Sequence, residues 1–164
     1  MLMNLPASAQ DPAMPPDVAR TVRALSGHWD FIGKDLAPGA KTAAKVVVTF
    51  DCAPTALDRA VACTIAGEIA GAGKIQASTV VGYSPDEHIV RWMEISSTGE
   101  YHDHRGGWKG DAIVFAPLPY TFLGEKFVEK LTLRFPSPDR FMMIAITDTK
   151  DGPDRLEGVA RRRS

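Results

Sequence analysis

WMEISSTGEYHDHRGGWKGDAIV, residues 92–114, carries two of the chain's three tryptophans and two of its four histidines, so its least common side chains are gathered in one place. Ser97-Thr98-Gly99 and Lys109-Gly110-Asp111 are turn sequences, and the segments flanking each turn are extended in pattern. Turns this short join antiparallel neighbours, because a parallel crossover needs about a dozen residues or more. Residues 88–95 and 100–108 therefore form a hairpin, and residues 112–115 return beside it.

The same pattern continues outward in both directions. Period-two alternation is read over residues 29–31, 45–50, 60–69 and 74–83 before the hairpin, and over 126–135, 140–147 and 155–162 after it. Turn residues separate these segments: Pro38-Gly39 within a break over 34–41, Gly71-Ala72-Gly73, Ser84-Pro85-Asp86-Glu87, Ser137-Pro138-Asp139 and Asp151-Gly152-Pro153-Asp154. A loop holding Pro117 and Pro119 follows residue 115. One helix is expected, over residues 17–25, where Val18, Val22 and Leu25 recur at helical spacing between prolines and Ser26-Gly27. Residues 1–16 read as a flexible arm, and residues 17–164 as a single domain. A long meander leaves two exposed edges unless it closes on itself. The predicted fold is thus all-β, an antiparallel up-and-down barrel of about ten strands with the helix capping one mouth. A β-sandwich is the alternative.

Composition narrows the function classes. A net charge of −1 supplies no footprint for nucleic acid, and no apolar run reaches the ~18 residues that span a bilayer. Arg161-Arg162-Arg163 reads as the surface end of a strand. Cys52 and Cys63 lack metal-knuckle spacing; they could meet across a hairpin as a disulfide, but two separate buried thiols are the expectation. Ala7-Ser8-Ala9 resembles a secretory cleavage end without the basic and apolar regions that should precede it. A cytoplasmic chain is expected as written, and export if the true start lies upstream. No cofactor is expected, and a homodimer is an allowed arrangement.

Gly27-His28-Trp29-Asp30-Phe31 after the helix, then Gly82-Tyr83-Ser84-Pro85, Ser97-Thr98-Gly99-Glu100-Tyr101 and Gly107-Trp108-Lys109-Gly110-Asp111, together resemble a bacterial lipocalin-like family of barrels in the calycin group. The resemblance covers residues 25–163. It implies a soluble antiparallel barrel with an interior pocket for a small molecule, and it implies no reaction. Related calycin branches hold haem through a histidine near the C-terminus; this chain has none after His104.

His102 and His104 stand at i and i+2, so on a strand both leave the same face about 7 Å apart. With a three-residue turn at Ser97-Thr98-Gly99, Glu94 falls opposite His102 and Trp92 opposite His104. A two-residue turn sets Glu94 against Asp103 instead, a like-charge pair, so the first register is preferred. A hydrated outer face is the expected setting of the two imidazoles. A pocket wall is the alternative, and no metal is expected, because two ligands fall short of a site. Glu129 shares the face of Phe127, Leu131, Leu133 and Phe135, where a carboxylate needs a partner such as Arg91, a ligand or a wet rim. His28 and His88 read as surface residues at strand starts.

The candidate pocket residues are accordingly Trp92, Glu94, His102, His104, Trp108 and Glu129, with no catalytic residue assigned. The first functional expectation is a non-catalytic barrel holding a small apolar molecule. An enzyme using His102 and His104 with Glu94 or Glu129 as an acid–base or metal site is the second. The third is a solid-core interaction module.

Overall fold

The computed structural model describes residues 13–163. Most of the arm expected over residues 1–16, and all of Ala7-Ser8-Ala9, lie outside that range. The elements in order are α1 (Pro16–Leu25), β1 (Gly27–Leu36), β2 (Ala44–Thr55), β3 (Ala60–Ile69), β4 (Gly73–Ser84) and β5 (Ile89–Ser96). They continue with β6 (Tyr101–Lys109), β7 (Ala112–Phe115), β8 (Leu118–Phe122), β9 (Glu125–Ser137), β10 (Arg140–Thr149) and β11 (Gly152–Arg162).

Ten of these strands pair antiparallel in a closed ring. It runs β1 through β7, then β9, β10 and β11, which pairs back to β1. The remaining strand, β8, stands outside the ring and pairs with β9 at Glu125–Glu129, where β7 has ended. The expected barrel is the observed fold. Several segments differ from expectation: β1 runs on through Lys34 to Leu36, β2 runs on to Thr55, β11 begins at Gly152 within the expected turn, and the Pro117/Pro119 segment contains β8. Both prolines tolerate this position, because proline is accommodated at sheet edges and strand starts.

Alternation places the core. Along β2, Val46, Val48, Phe50 and Cys52 are buried, while Lys45, Val47 and Asp51 between them are exposed. Helix α1 turns Val18, Thr21, Val22 and Leu25 inward over one barrel mouth. Each of its buried aliphatic side chains stabilises the closure by roughly 1.5–3 kcal/mol. Several polar ties hold it in place. Trp29 Nε1 donates to Leu25 O at 2.8 Å, and Trp108 Nε1 donates to Thr21 Oγ1 at 3.0 Å. Arg162 from β11 lies over the Trp29 ring at 4.2 Å and donates to Ser26 O and Pro138 O. Arg163 pairs with Asp30 at 2.8 Å, so the basic C-terminal run is structural.

The half of the barrel beneath α1 is filled by aromatic rings. Phe141 packs edge-on against Trp29 at 5.0 Å and Phe50 at 5.7 Å, and lies 5.8 Å from Phe135. Cys52 and Cys63 stand directly opposite each other on β2 and β3 and are joined as a disulfide. This corrects the expectation of two separate thiols. Both residues are inward positions of neighbouring strands, and the hairpin register brings their Cα atoms to 4.0 Å. Among the described residues no helix is long and apolar enough to cross a membrane.

Candidate functional site

The barrel half away from α1 is hollow. A cavity of about 540 Å³ is walled by Phe31, Val46, Val48, Ile65, Leu131 and other apolar side chains, and polar side chains enter it from several strands, among them Glu94 on β5, His102 and His104 on β6 and Glu129 on β9. That volume lies within the ~300–1,000 Å³ common for small-molecule sites.

The β5–β6 hairpin sets the first part of the site. Gly99 sits at φ +89°, and Ser96 N donates to Glu100 O, which closes a three-residue turn over Ser97, Thr98 and Gly99. Glycine takes that left-handed conformation without steric cost. In the resulting register Glu94 faces His102 and Trp92 faces His104, as the three-residue turn predicted. Alternation then turns Trp92, Glu94, His102 and His104 into the barrel. Asp103 goes to the outer side with Arg91, the two side chains bonding at 2.6 Å. The expected hydrated outer face for the two imidazoles is therefore corrected: His104 is 2 % exposed. Arg91, considered as a partner for Glu129, points the other way.

The second part comes from β9. Its inward row includes Phe127, Glu129, Leu131 and Leu133, with Glu129 buried. β7 is short and β8 takes over its place along β9, so beyond the end of β7 the Glu129 side chain reaches those of β6. Glu129 Oε2 lies 3.5 Å from His102 Nδ1, and Glu129 Oε1 lies 3.5 Å from His104 Nε2. Tyr120 of β8 covers the junction, with its ring 4.5 Å from that of His102 and stacked on Phe127 at 5.2 Å. Phe115 backs His104 at 5.6 Å and Trp92 at 6.4 Å. Its approach depends on Gly106, where a Cβ would stand 2.4 Å from Val114 O.

Electrostatically the cluster is short of positive charge. Burial raises the Glu129 pKa to about 7, and Glu94 and Glu100 add to the rise. Burial also raises Glu94, against which Trp92 Nε1 donates a 3.0 Å hydrogen bond to Glu94 Oε2. Burial lowers His104 to about 4, with His102 adding to the fall, and burial lowers His102 as well. The contacts between Glu129 and the imidazoles thus join a half-ionised carboxyl to two neutral rings and are not ion pairs at neutral pH. Tyr120 is held well above the usual phenol range, first by burial and then by the Glu129 charge.

Of the six candidate pocket residues, five line the cavity: Trp92, Glu94, His102, His104 and Glu129. Trp108 does not. It shares the inward face of β6, but it lies at the α1 end of the strand, bonded to Thr21 and covered by Arg20 at 3.7 Å. Tyr120, Asp35 and Asp154 are among the polar lining residues that had no site role in the sequence reading. Tyr120 lay in the proline loop, Asp35 in the expected strand break and Asp154 in a turn. The alternation of Leu118, Tyr120 and Phe122 was the one available signal, and Pro117 and Pro119 beside them obscured it.

No family model matches the chain, and no curated protein matches its sequence. Solved structures do match its fold. The S-type phycobiliprotein lyase CPES from Guillardia theta superposes with a TM-score of 0.64 at 16% identity, over 90% of this chain and 93% of that one. Rv2717c from M. tuberculosis gives 0.66 at 14% identity, over 92% and 99%. EF1p2_mFAP2b bound to DFHBI gives 0.52 at 10% identity, over 89% and 99%. At these identities the likeness establishes a shared barrel fold.

Proposed function

We propose that this protein binds a small, largely apolar molecule in the barrel interior, with the polar end of the ligand at His102, His104 and Glu129. The observation that carries the reading is the composition of the 540 Å³ cavity: apolar walls, with His102, His104 and Glu129 among the polar groups that enter it. A hollow interior also weighs against the solid-core interaction module. A barrel of similar fold, EF1p2_mFAP2b, is bound to DFHBI, which is in keeping with a small-ligand role. The head of the ligand is neutral or cationic. Asp35, Glu94, Glu100, Glu129 and Asp154 line the cavity against the single ammonium of Lys74, so an added carboxylate would meet like charge in a poorly solvated space.

The test uses Trp92, which lines the cavity, whereas Trp29 and Trp108 pack at the α1 end. Titration with neutral, amine-bearing and acidic naphthalene probes should quench tryptophan emission saturably, with the acidic probe weakest. Trp92→Phe should remove most of the quenching while the emission of the probe still reports binding. Saturating ligand should stabilise the fold by about 2.7 kcal/mol at a hundredfold excess over Kd. Absence of saturable binding across the panel would overturn the proposal.

A second reading has one observation in its favour. A carboxylate and two imidazoles within 3.5 Å can exchange protons with a bound molecule. Conversion of a probe on incubation, lost in His102→Asn, would move the assignment from carrier to enzyme.

A further inference from the structure

We propose that His102, His104 and Glu129 form a binding site for a divalent transition-metal ion, with zinc or ferrous iron the natural occupants and an open coordination position facing the cavity. The proposal stands independently of the apolar-ligand reading, because it concerns the protein's own side chains and is tested with no organic ligand present.

Geometry comes first. The expectation of no metal rested on two ligands, and the fold supplies the third from β9. One ligand atom from each residue can be chosen so that all lie within 4.8 Å of one another. Two of the separations to the Glu129 carboxylate are already 3.5 Å. Ligands bonded to zinc at roughly 2.1 Å in a tetrahedral arrangement stand about 3.4 Å apart. Small side-chain rotations, without movement of strands, therefore bring the set to bonding distance. Two imidazoles and one carboxylate on one side of an ion are a donor set suited to zinc or ferrous iron, and they leave positions for water or a ligand.

Unsatisfied polarity is an independent observation. His104 is 2 % exposed, and among the described residues neither its Nδ1 nor His102 Nε2 has a hydrogen-bond partner. A half-buried and a buried imidazole whose inner nitrogens have only a carboxyl at 3.5 Å form a weakly held polar set. A divalent cation between the three residues would take a lone pair from each of the two nitrogens that face Glu129, His102 Nδ1 and His104 Nε2, together with the charge of the carboxylate. The excess of carboxylates around the cavity favours a cation in the same place. Tyr120 and Phe115, packed on the two rings at 4.5 and 5.6 Å, limit their rotation and keep the lone pairs converging.

The experiment is a metal titration of the full chain, purified without a histidine tag and dialysed against a chelator. Cobalt(II) reports through its visible absorption, and zinc is added in competition. The expected result is saturation at about one equivalent per chain, with bands of four- or five-coordinate cobalt that zinc abolishes. Glu129→Gln and His102→Asn should each weaken binding by about a hundredfold or more, since even a hydrogen-bonding partner of a metal ligand is worth ten- to a hundredfold. Replacing His28 and His88, which lie elsewhere on the surface, should leave the affinity unchanged. Circular dichroism confirms the fold of each variant. If Glu129→Gln does not fold, His102→Asn at the less buried ligand carries the comparison. Failure of the unaltered protein to bind a stoichiometric metal overturns the proposal. So does binding that survives both site variants within about twofold, or that is lost with His28 and His88.

Discussion

Asp35 near the end of β1 and Asp154 near the start of β11 line the same cavity, close enough for the charge of one carboxylate to bear on the other. Neighbouring carboxylates in a poorly solvated space resist double ionisation, and the Asp35 pKa rises to about 6, first through burial and then through Asp154. The folded-state value lies above the ordinary one, so the protonated form is the one the fold prefers. Its contribution to stability is fully present below about pH 4 and is lost as pH rises through about 6. Asp35→Asn keeps a donor toward Asp154 without the titration. Its melting temperature relative to the unaltered protein should therefore rise between pH 4 and pH 8. A flat or falling difference in a pair of thermal melts would refute the raised pKa of Asp35.

The Cys52–Cys63 disulfide closes a loop with a sequence separation of 11. Restricting the unfolded chain over that length is worth about 3 kcal/mol on the chain-entropy account. Replacing both residues with alanine should lower stability in urea by about 2–3 kcal/mol. Thiol titration of the denatured, unreduced protein should find no reactive cysteine. A full complement of free thiols would be evidence against the bond.

Gly106 is expected to be intolerant of any side chain. An added Cβ would stand 2.4 Å from Val114 O and 2.7 Å from Phe115 Cα, backbone atoms that move only with β7. Gly106→Ala should cost about 1–3 kcal/mol of stability, the usual range for overpacking. Because Phe115 packs on His104 and Trp92, the near-ultraviolet circular dichroism of Trp92 should change as well. A variant with unaltered stability and spectrum would contradict this close approach.

Thr21→Val removes the acceptor of the Trp108 Nε1 bond while keeping the volume of the side chain. A buried donor left without a partner costs about 1–3 kcal/mol, so chemical denaturation should show a loss of that order. Probe binding at the opposite end of the barrel should be unchanged. Equal losses of stability and binding would mean that α1 and the cavity are coupled.

Ala145 lines the cavity from β10. Ala145→Phe places a ring in the hollow half of the barrel and should weaken naphthalene-probe binding at least tenfold, a difference of about 1.4 kcal/mol. Thermal stability should hold or rise as the space is filled. Undiminished probe affinity would locate the ligand elsewhere.

What the sequence determined by itself is local and periodic. Alternation with a period of two placed Phe127, Glu129 and Leu131 on one face of β9, and His102 and His104 on one face of β6, because successive strand residues must point to opposite sides of a sheet. The turn at Ser97-Thr98-Gly99, together with the like charges of Glu94 and Asp103, selected the hairpin register. Short turns throughout required antiparallel pairing, and unpaired edges required closure. The tertiary structure decided which of these faces meet. Nothing near His102 in the sequence indicates Glu129. Their encounter depends on β7 ending at Phe115, on β8 continuing beside β9, and on the ring closing through β10 and β11. Closure also decided that the histidine face is the inner one, which makes His102 half-buried and His104 buried, both as neutral groups. Trp108, on the same face of β6, was sent to the opposite end of the barrel simply by its distance along the strand. Asp35 and Asp154 come from opposite ends of the chain and are brought together by the β1–β11 pairing. A strand's period sets which side of the wall a residue occupies, while only the folded sheet sets how far along the wall it lies and what stands across from it.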